Sequence, residues 1–578
     1  MSLLSGNYFR RPGFFSPFLS LFLSITLLSS AALAWQQQGA TSTPSTGTAV
    51  ARRSTATLTA SERKAAERVK LKTIREVTTT LSSPEFEGRG TGQPGGDKAA
   101  RYLADRFARL GLKPAGKNGT YLQTIKFRFA QVLPETSVKV GDAILKHGED
   151  YVILPPYTLD QVDATGGVVF VGYGVVSPEL KRDDLAGLDL KDKVVIVVAG
   201  QPDGVDAALW RRATSSQIRG LNIFGRGAVA LMVANAGTPA QPFAIIANYL
   251  SRRLVGLAST PLPTTRIPPA LLASDAAMER VFAGSEMTYA QTLAKAKTGA
   301  LVSRDLGKTA TLALRIKREE TTSSNVAGVL EGSDPKLKEE AVVFSAHYDA
   351  YGVENGRIYP GAADNALGTA TIVAIAEALV KSFSKPSSRP RRSVIFLAVT
   401  GEEYGLFGSE YWVAHPTWPL NKIAADINFD GIGTEVYGPV KRVVGLGTEH
   451  SDLGDVFEDV VAATGNLVTP DPMPEENAFV RSDHYAFVKK GVPALMLIGG
   501  PAGDVSMWIP RARKWLDTDY HSSNDTVKPD WNWTGPQTLA QVGMIIGMRV
   551  ANADAMAAWR STSPFNKPRS QPNPMPAN

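Results

Sequence analysis

The sequence feature that most constrains the fold of this chain is a pair of short apolar runs. Each run is followed by side chains that can bind metals or move protons. Residues 342–346 and 394–399 are rich in β-branched residues and bounded by turn residues, which predicts two buried strands. In open α/β sheets, ligands collect outside the carboxyl ends of the strands, so the two runs predict one shared site. The side chains that follow the runs are those of His347, Asp349, Glu402 and Glu403.

Asp364 lies between the two runs, in a loop of Gly, Ala and Asn residues before an apolar segment (369–380) with a helical pattern. Two divalent metals about 3.5–4 Å apart need a shared oxygen ligand, which this carboxylate can supply. Adjacent Glu402 and Glu403 point to opposite sides of a strand, but in a tight turn one can bind metal while the other faces a bound water. The stretch therefore predicts half of a two-metal hydrolytic site.

The composition narrows the chemistry of that site. The 578 residues include no cysteine, which excludes disulfides, thiolate nucleophiles and thiolate zinc sites. Ligands must come from six histidines and the carboxylates, and this mixture favours Zn²⁺ over Mg²⁺ or Ca²⁺, which prefer oxygen shells. The net charge of +7 is spread thinly, without a Lys/Arg block, so no nucleic-acid partner is predicted.

The N-terminal segment has the pattern of an export signal. Arg10 and Arg11 precede an apolar run (18–28) and a small-residue end at Ala34. The run is shorter than the about 20 residues that span a membrane. Residues 1–34 are therefore predicted to be a cleaved signal peptide, which implies a secreted or periplasmic protein of the bacterial envelope that does not bind the membrane after cleavage. The paired arginines also permit twin-arginine export.

Changes in the pattern of predicted strands and helices divide the remaining chain into parts. Strands alternating with helices over residues 320–560 predict a three-layer, doubly wound α/β domain with a mainly parallel sheet. Short β-like runs with few evident helices predict a separate β-rich module inserted into that domain. The predicted parts are a flexible linker (35–60), the N-terminal part of the α/β domain (61–133), the insert (134–317), the larger part of the α/β domain (318–560) and a disordered tail (561–578).

Five motifs arrive in order, each beside a predicted strand end: HYD, GAADNA, TGEE, NFDG and YHSSNDT. Together with FEGRGTGQPGGDKAARYLADRF, they make residues 61–133 and 318–560 resemble the co-catalytic di-zinc exopeptidases typified by bacterial leucyl aminopeptidase and aminopeptidase S. The insert carries GGVVFVGYG (166–174), followed by LKDKVVIVVAGQP. This pattern resembles the protease-associated domain inserted in several exopeptidases.

The resemblance implies the zinc exopeptidase fold and a set of ligands for two zinc ions. His347 and Asp430 are implied to hold one ion, and Glu403 and His521 the other. Asp364 is implied to bridge both.

The resemblance also implies the catalytic residues. Glu402 would be the general base that takes a proton from the metal-bound water and passes it to the leaving amine. Arg481, in an RSD motif, and Tyr520, before the last histidine, match positions that help stabilise the tetrahedral oxyanion.

Three further residues carry predictions from the sequence itself. Asp349, two residues after His347, can accept the other imidazole N–H and so determine the tautomer. His484 is predicted to pack in the core or in a pocket wall. Asp525 is predicted either to support a metal ligand or to cap a helix or turn.

The favoured interpretation is a secreted zinc aminopeptidase that removes N-terminal residues from peptides with a free N-terminus. A carboxypeptidase of the same fold is the second interpretation, because both polarities use the same metal ligands. The third is a metal-free binding or receptor module on this scaffold, a class that typically loses ligands, whereas all five are present here. A glutaminyl cyclase relative is disfavoured by the inserted module and the complete ligand set.

Overall fold

The computed structural model describes residues 57–569 except 156–158, 236, 238–241, 262–266 and 432–434. Within these residues the chain forms two compact units. The inserted unit comprises Ala130–Leu254 and Pro261–Arg318, and the large unit comprises the chain up to Phe129, Val255–Thr260 and the chain from Glu319 onward. Val255–Thr260 thus lies in the large unit, although it falls inside the predicted insert. The predicted signal peptide and most of the predicted linker lie outside the described residues.

Strands occur throughout both units. In chain order they are β1 (Lys113–Pro114), β2 (Leu122–Val132), β3 (Ser137–Val140), β4 (Ala143–Leu145), β5 (Tyr151–Ile153), β6 (Gln161–Phe170), β7 (Val176–Ser177), β8 (Arg182–Asp183), β9 (Val194–Val198), β10 (Ala230–Ala234), β11 (Leu254–Leu257), β12 (Ala270–Ala273), β13 (Arg304–Leu330), β14 (Ala341–His347), β15 (Gly352–Glu354), β16 (Arg357–Tyr359), β17 (Ser393–Val399), β18 (Ile423–Asn428), β19 (Val440–Leu446), β20 (Leu467–Val468) and β21 (Ala494–Pro501).

Helices alternate with these strands. In chain order they are α1 (Ala60–Ala66), α2 (Leu71–Leu81), α3 (Pro94–Leu110), α4 (Ala207–Ala213), α5 (Ser216–Phe224), α6 (Phe243–Leu250), α7 (Asp275–Phe282), α8 (Tyr289–Lys297), α9 (Leu367–Ser382), α10 (Phe407–Ala414), α11 (Leu453–Ala463), α12 (His484–Lys489), α13 (Trp508–Thr518) and α14 (Thr534–Asn552).

The sheet of the large unit is mainly parallel, as predicted. Its strand order is β1-β13-β17-β14-β18-β21-β19-β20, with β17, β14, β18 and β21 mutually parallel. β13 is antiparallel to β1 and β17, whereas β19 is antiparallel to β21 and parallel to β20. Every residue of β14, β17 and β18 is buried. In register, His347 lies opposite Val399, and Ser345 lies opposite Asn428. The carboxyl ends of the three strands therefore meet at one edge.

Helices cover both faces of this sheet, which makes three layers. Val342, Phe344 and Ala346 of β14 pack in one core with residues of α2, α3, α9 and α14. Ala341 and Val343, which point the other way, pack in a second core with residues of α10 and α12. The helical segment Ala362–Ser382 is long and apolar enough to cross a membrane, but 89% of its apolar window is buried in the protein. This burial is what a central core helix shows.

The inserted unit is richer in helix than the sequence indicates. Its strands β6, β9, β10 and β12 form a parallel array, edged by antiparallel β13 and β5, and five helices (α4–α8) accompany it. The expectation of few helices is wrong because each helix has only seven to nine residues, too few for a clear apolar period. Side-chain caps at Asp206, Ser215, Ser274 and Thr288 begin four of them.

Residues 561–569 are ordered against the large unit, so the predicted disordered tail is wrong for this part. Phe565 packs edge-on to His450, with ring centroids 4.8 Å apart. Arg569 donates hydrogen bonds to the carbonyl oxygens of Ile423 and Ala424, at 2.9 and 3.2 Å. One aromatic and one arginine anchor hold a segment whose Pro, Ser and Asn content suggests disorder. The rest of the predicted tail, from Ser570, lies outside the described residues.

Candidate metal and catalytic site

The sheet and its loops bring all five predicted metal ligands and Glu402 together. β14 ends at His347, β17 leads into the turn that carries Glu402 and Glu403, and β18 leads to Asp430. A loop (361–366) before α9 carries Asp364, and His521 follows α13. Three of these segments follow parallel strands, and the fourth, loop 361–366, precedes a helix. Side chains that bind ligands gather at such positions in open α/β sheets.

The side chains form two groups that share Asp364. His347 Nε2 lies 3.2 Å from Asp364 Oδ1 and 3.3 Å from Asp430 Oδ1. His521 Nε2 lies 3.4 Å from Asp364 Oδ2 and 3.0 Å from Glu403 Oε2. Asp364 therefore directs one carboxylate oxygen to each group, the arrangement that a bridging ligand needs.

Glu402 lies beside the first of these groups. Its Oε2 is 3.7 Å from His347 Nε2, and with His347 and Asp430 it forms a set whose potential ligand atoms lie within 4.8 Å of one another. Glu403 turns to the other group, with Asp364 and His521. The turn thus separates the two adjacent glutamates, as the sequence predicts.

The donor set fits divalent metal ions. Burial acts to lower the pKa of His347, but the charges of Glu402 and Asp430 outweigh it and raise that pKa well above its ordinary value. Burial likewise acts to lower the pKa of His521, but Glu403 and Asp364 raise it to about 9. Carboxylates this close strongly attract positive charge, and two imidazoles with carboxylate oxygens form a set suited to zinc.

Asp349 supports the site differently from the prediction. His347 Nδ1 lies 3.1 Å from the backbone carbonyl of Asp349, whereas the nearer carboxylate oxygen is 3.8 Å away. The carboxylate instead accepts hydrogen bonds from the Glu402 amide at 3.3 Å and the Thr91 hydroxyl at 3.0 Å. Asp349 therefore orients the imidazole through its main chain and the catalytic turn through its side chain.

Asp525 holds the loop that carries the shared ligand. Its carboxylate accepts hydrogen bonds from the amides of Ala363 and Asp364, at 2.9 and 3.0 Å. Its carbonyl accepts a third from the amide of Ala362, at 3.0 Å. Burial raises the pKa of Asp525 to about 7, and the charge of Asp364 adds to this shift. Of the two predicted roles, the structure thus favours support of a ligand.

Arg481 and Tyr520 lie at the same site. Arg481 Nη2 donates to the Tyr520 hydroxyl at 3.3 Å, and its Nη1 donates to the Glu476 carbonyl at 3.1 Å. The Tyr520 ring stacks on His521 with centroids 3.6 Å apart. His484, by contrast, is buried against Phe479, with ring centroids 5.2 Å apart, and burial lowers its pKa to about 3. It packs in the core, as predicted.

Arg89 is a buried support of the site that sequence reasoning misses. Its guanidinium donates to four backbone carbonyls, those of Leu81, Tyr348, Pro360 and Gly361, at 2.5 to 2.7 Å. Burial lowers the pKa of Arg89 to about 10, although the charge of Asp525 opposes this shift. Because its acceptors are main-chain atoms, no residue type in the sequence marks the role.

Tyr351 is the second missed residue. Its hydroxyl oxygen lies 3.2 Å from His521 Nδ1, and its hydroxyl also donates to the Glu403 carbonyl at 3.5 Å. It follows HYD by one alanine, so its closeness to that motif was the available signal.

Comparison with known proteins agrees with this geometry. The model of peptidase family M28 matches residues 325–544. The probable leucine aminopeptidase 2 of Aspergillus oryzae is 31% identical over 225 residues, which cover 36% of this chain and 41% of that protein. Leucine aminopeptidase 2 of Arthroderma otae is 29% identical over 234 residues, which cover 38% of this chain and 43% of that protein.

Among solved structures, an aminopeptidase from Aneurinibacillus sp. strain AM-1 matches with a TM-score of 0.54, covering 86% of this chain and 97% of that one. At 19% identity, this likeness shows the fold alone. The chain spans less than half the length of the curated relatives it matches. The family match contains His347, Asp364, Glu402, Glu403, Asp430 and His521. The part of the chain that matches the model of peptidase family M28 therefore contains the motifs that resemble the co-catalytic di-zinc exopeptidases.

Proposed function

We propose that the protein is a zinc-dependent aminopeptidase that binds two zinc ions. The observation that carries this proposal is the position of Asp364, whose two oxygens lie 3.2 and 3.4 Å from the two histidines. His347 and Asp430 would hold one ion, and Glu403 and His521 the other. Zinc bound there would polarise a carbonyl and lower the pKa of water.

Glu402 is proposed to move the proton. Burial raises the pKa of Glu402 well above its ordinary value, with the charges of Asp430 and Asp483 adding to the rise and His347 opposing it. A carboxylate of raised pKa is a better base at neutral pH. It would take a proton from the attacking water and return it to the leaving amine.

Arg481 and Tyr520 are proposed to stabilise the negative oxygen that forms during attack. The two side chains are already joined by a hydrogen bond of 3.3 Å. Glu476 accepts hydrogen bonds from Arg481 through its carbonyl at 3.1 Å and its carboxylate at 3.5 Å, which limits the motion of the guanidinium. Donors positioned in advance stabilise charge with little reorganisation during the reaction.

Peptides with a free N-terminus are the proposed substrates. The support is the name leucine aminopeptidase 2 carried by both fungal relatives. Peptides blocked separately at each end separate this proposal from carboxypeptidase activity. We expect cleavage only where the amine is free, whereas cleavage of the amine-blocked peptide alone would establish the opposite polarity.

A panel of aminoacyl chromogenic substrates tests the activity directly. We expect turnover that a chelator abolishes and that added zinc restores. No turnover of any member, together with no zinc in the gently purified protein, would instead support a binding or receptor module.

We also propose that residues 1–34 direct export to the periplasm or the medium and that the inserted unit is a protease-associated domain. The support for both is the sequence pattern described above. Mass spectrometry of the exported protein should find an N-terminus after Ala34, and an uncleaved N-terminus would contradict the first proposal.

A further inference from the structure

His521 adopts a backbone conformation that needs support from its surroundings. Its φ of +53° lies in the left-handed region, which costs a non-glycine residue about 1 kcal/mol or more. Its ring is held from two directions. Tyr520 stacks on it at 3.6 Å, and Tyr351 meets it edge-on with ring centroids 5.0 Å apart.

The hydroxyl of Tyr351 contacts both terminal ligands of this metal group. It donates to the Glu403 carbonyl at 3.5 Å, and its oxygen lies 3.2 Å from His521 Nδ1. A phenol has one hydrogen, and a carbonyl can only accept. When that hydrogen is given to Glu403, the bond to His521 requires Nδ1–H as the donor. The proton of the neutral imidazole then lies on Nδ1, and Nε2 keeps its lone pair.

Nε2 is the nitrogen that the metal needs. It lies 3.0 Å from Glu403 Oε2 and 3.4 Å from Asp364 Oδ2, the other potential ligand atoms of the group. A partner on the second imidazole nitrogen fixes the ring and its tautomer, and such partners typically change metal affinity by about 10- to 100-fold. His347 receives the same help from the Asp349 carbonyl, which no substitution removes.

We propose that Tyr351 is a positioning residue that sets the zinc affinity of the Asp364, Glu403 and His521 group. Its hydroxyl ties the His521 side chain to the Glu403 backbone. This inference rests on the proposed two-zinc function.

Tyr351→Phe tests the hydroxyl alone. The ring is 1% exposed and packs edge-on to Tyr359 and Tyr404, at 6.1 and 5.6 Å, so phenylalanine keeps its packing. Tyr121→Phe is the matched control, since it removes a hydroxyl that donates to the Leu112 carbonyl at 2.6 Å.

The experiment titrates the full-length, metal-free protein with zinc against a competing chelator. For Tyr351→Phe we expect one of two binding steps to weaken by about tenfold or more, with the other step and the control unchanged. Equal weakening of both steps would show a general structural effect and overturn the proposal, as would an unchanged titration. If the unaltered protein binds fewer than two zinc ions, the proposed function itself fails, so the two failures are distinguishable.

Histidine labelled with ¹⁵N gives a second readout that does not depend on zinc or turnover. In the unaltered, metal-free protein, we expect the His521 Nδ1–H signal, assigned with His521→Asn, to be slow to exchange. In Tyr351→Phe it should exchange faster, while that of His347 stays unchanged. Equal exchange of the His521 signal in both proteins would overturn the proposal.

Discussion

The two metal groups have similar ligands but different supports. The His347 side chain is 1% exposed, lies at the end of a buried strand, and is oriented by a backbone carbonyl. The His521 side chain is 27% exposed, follows a helix in left-handed backbone, and is oriented by a tyrosine hydroxyl. The first histidine is thus shielded from solvent and the second is not. We therefore call the first the strand-end group and the second the rim group, and expect the rim group to be easier to perturb.

The largest expected effect comes from Glu402, which lies beside the strand-end group without being an implied ligand. Glu402→Ala should lower kcat by about 10²- to 10⁴-fold, the usual contribution of a general base, and keep the zinc content of both groups. Turnover on chromogenic substrates and elemental analysis measure the two quantities. Full activity would remove Glu402 from the mechanism, and loss of one zinc ion would make it a ligand.

Asp525 supports the oxygen ligand that the two groups share. Asp525→Ala leaves the buried amides of Ala363 and Asp364 without their acceptor, so both zinc-binding steps should weaken, each by about 10- to 100-fold. Chelator competition measures this. Asp517→Ala, which alters an exposed carboxylate on α13, should change neither step. Weakening of a single step would mean that Asp364 does not serve both ions.

Metal removal tests the difference between the groups directly. Against a graded series of chelators, the rim group should release zinc at about tenfold lower chelator strength than the strand-end group. His521→Ala and His347→Ala assign the two steps, because each removes one ligand from one group. Simultaneous release of both ions from the unaltered protein would contradict the asymmetry.

The smallest effect is expected at Thr91, whose hydroxyl donates to the Asp349 carboxylate at 3.0 Å. Thr91→Val should cost about 0.5–1.5 kcal/mol of transition-state stabilisation, a several-fold fall in kcat, because the carboxylate still accepts the Glu402 amide. Rim-group zinc affinity should stay the same. The control is Thr124→Val, at an exposed position of β2. A larger loss of rim-group zinc than of kcat would show that the two groups are not supported independently.

The sequence predicts the strand ends and the side chains of His347, Glu402 and Glu403 because their signals are local, whereas the ligand roles of Asp430 and His521 are implied by the family resemblance. An apolar run and the residues directly after it determine both the strand and what stands at its edge, as at His347 and Glu402. Arg89 and Tyr351 cannot be found in this way. The partners of Arg89 are main-chain atoms, and those of Tyr351 lie far along the chain. Asp349 shows a related gap, because its spacing from His347 does not distinguish a bond to its carboxylate from one to its carbonyl.

Two larger features of the fold could also not be predicted from the sequence. The short helices of the inserted unit lack a long apolar period, and the ordered residues 561–569 depend on anchors such as Phe565 and Arg569 rather than on composition. Both depend on contacts with distant parts of the chain. A pattern read over a local window does not include those contacts.

The position of Val255–Thr260 in the large unit determines how this protein can be shortened. β11 pairs with β2, and the amide of Ala258 donates to the Lys126 carbonyl at 3.0 Å. Val255 and Leu257 pack on a buried cluster that includes Phe127, and a side-chain carbon placed on Gly401 would meet that ring at 3.2 Å. Cutting out residues 134–317 in one piece would therefore remove a strand from beside the turn that carries Glu402. A minimal enzyme would need two separate excisions, one on each side of this strand.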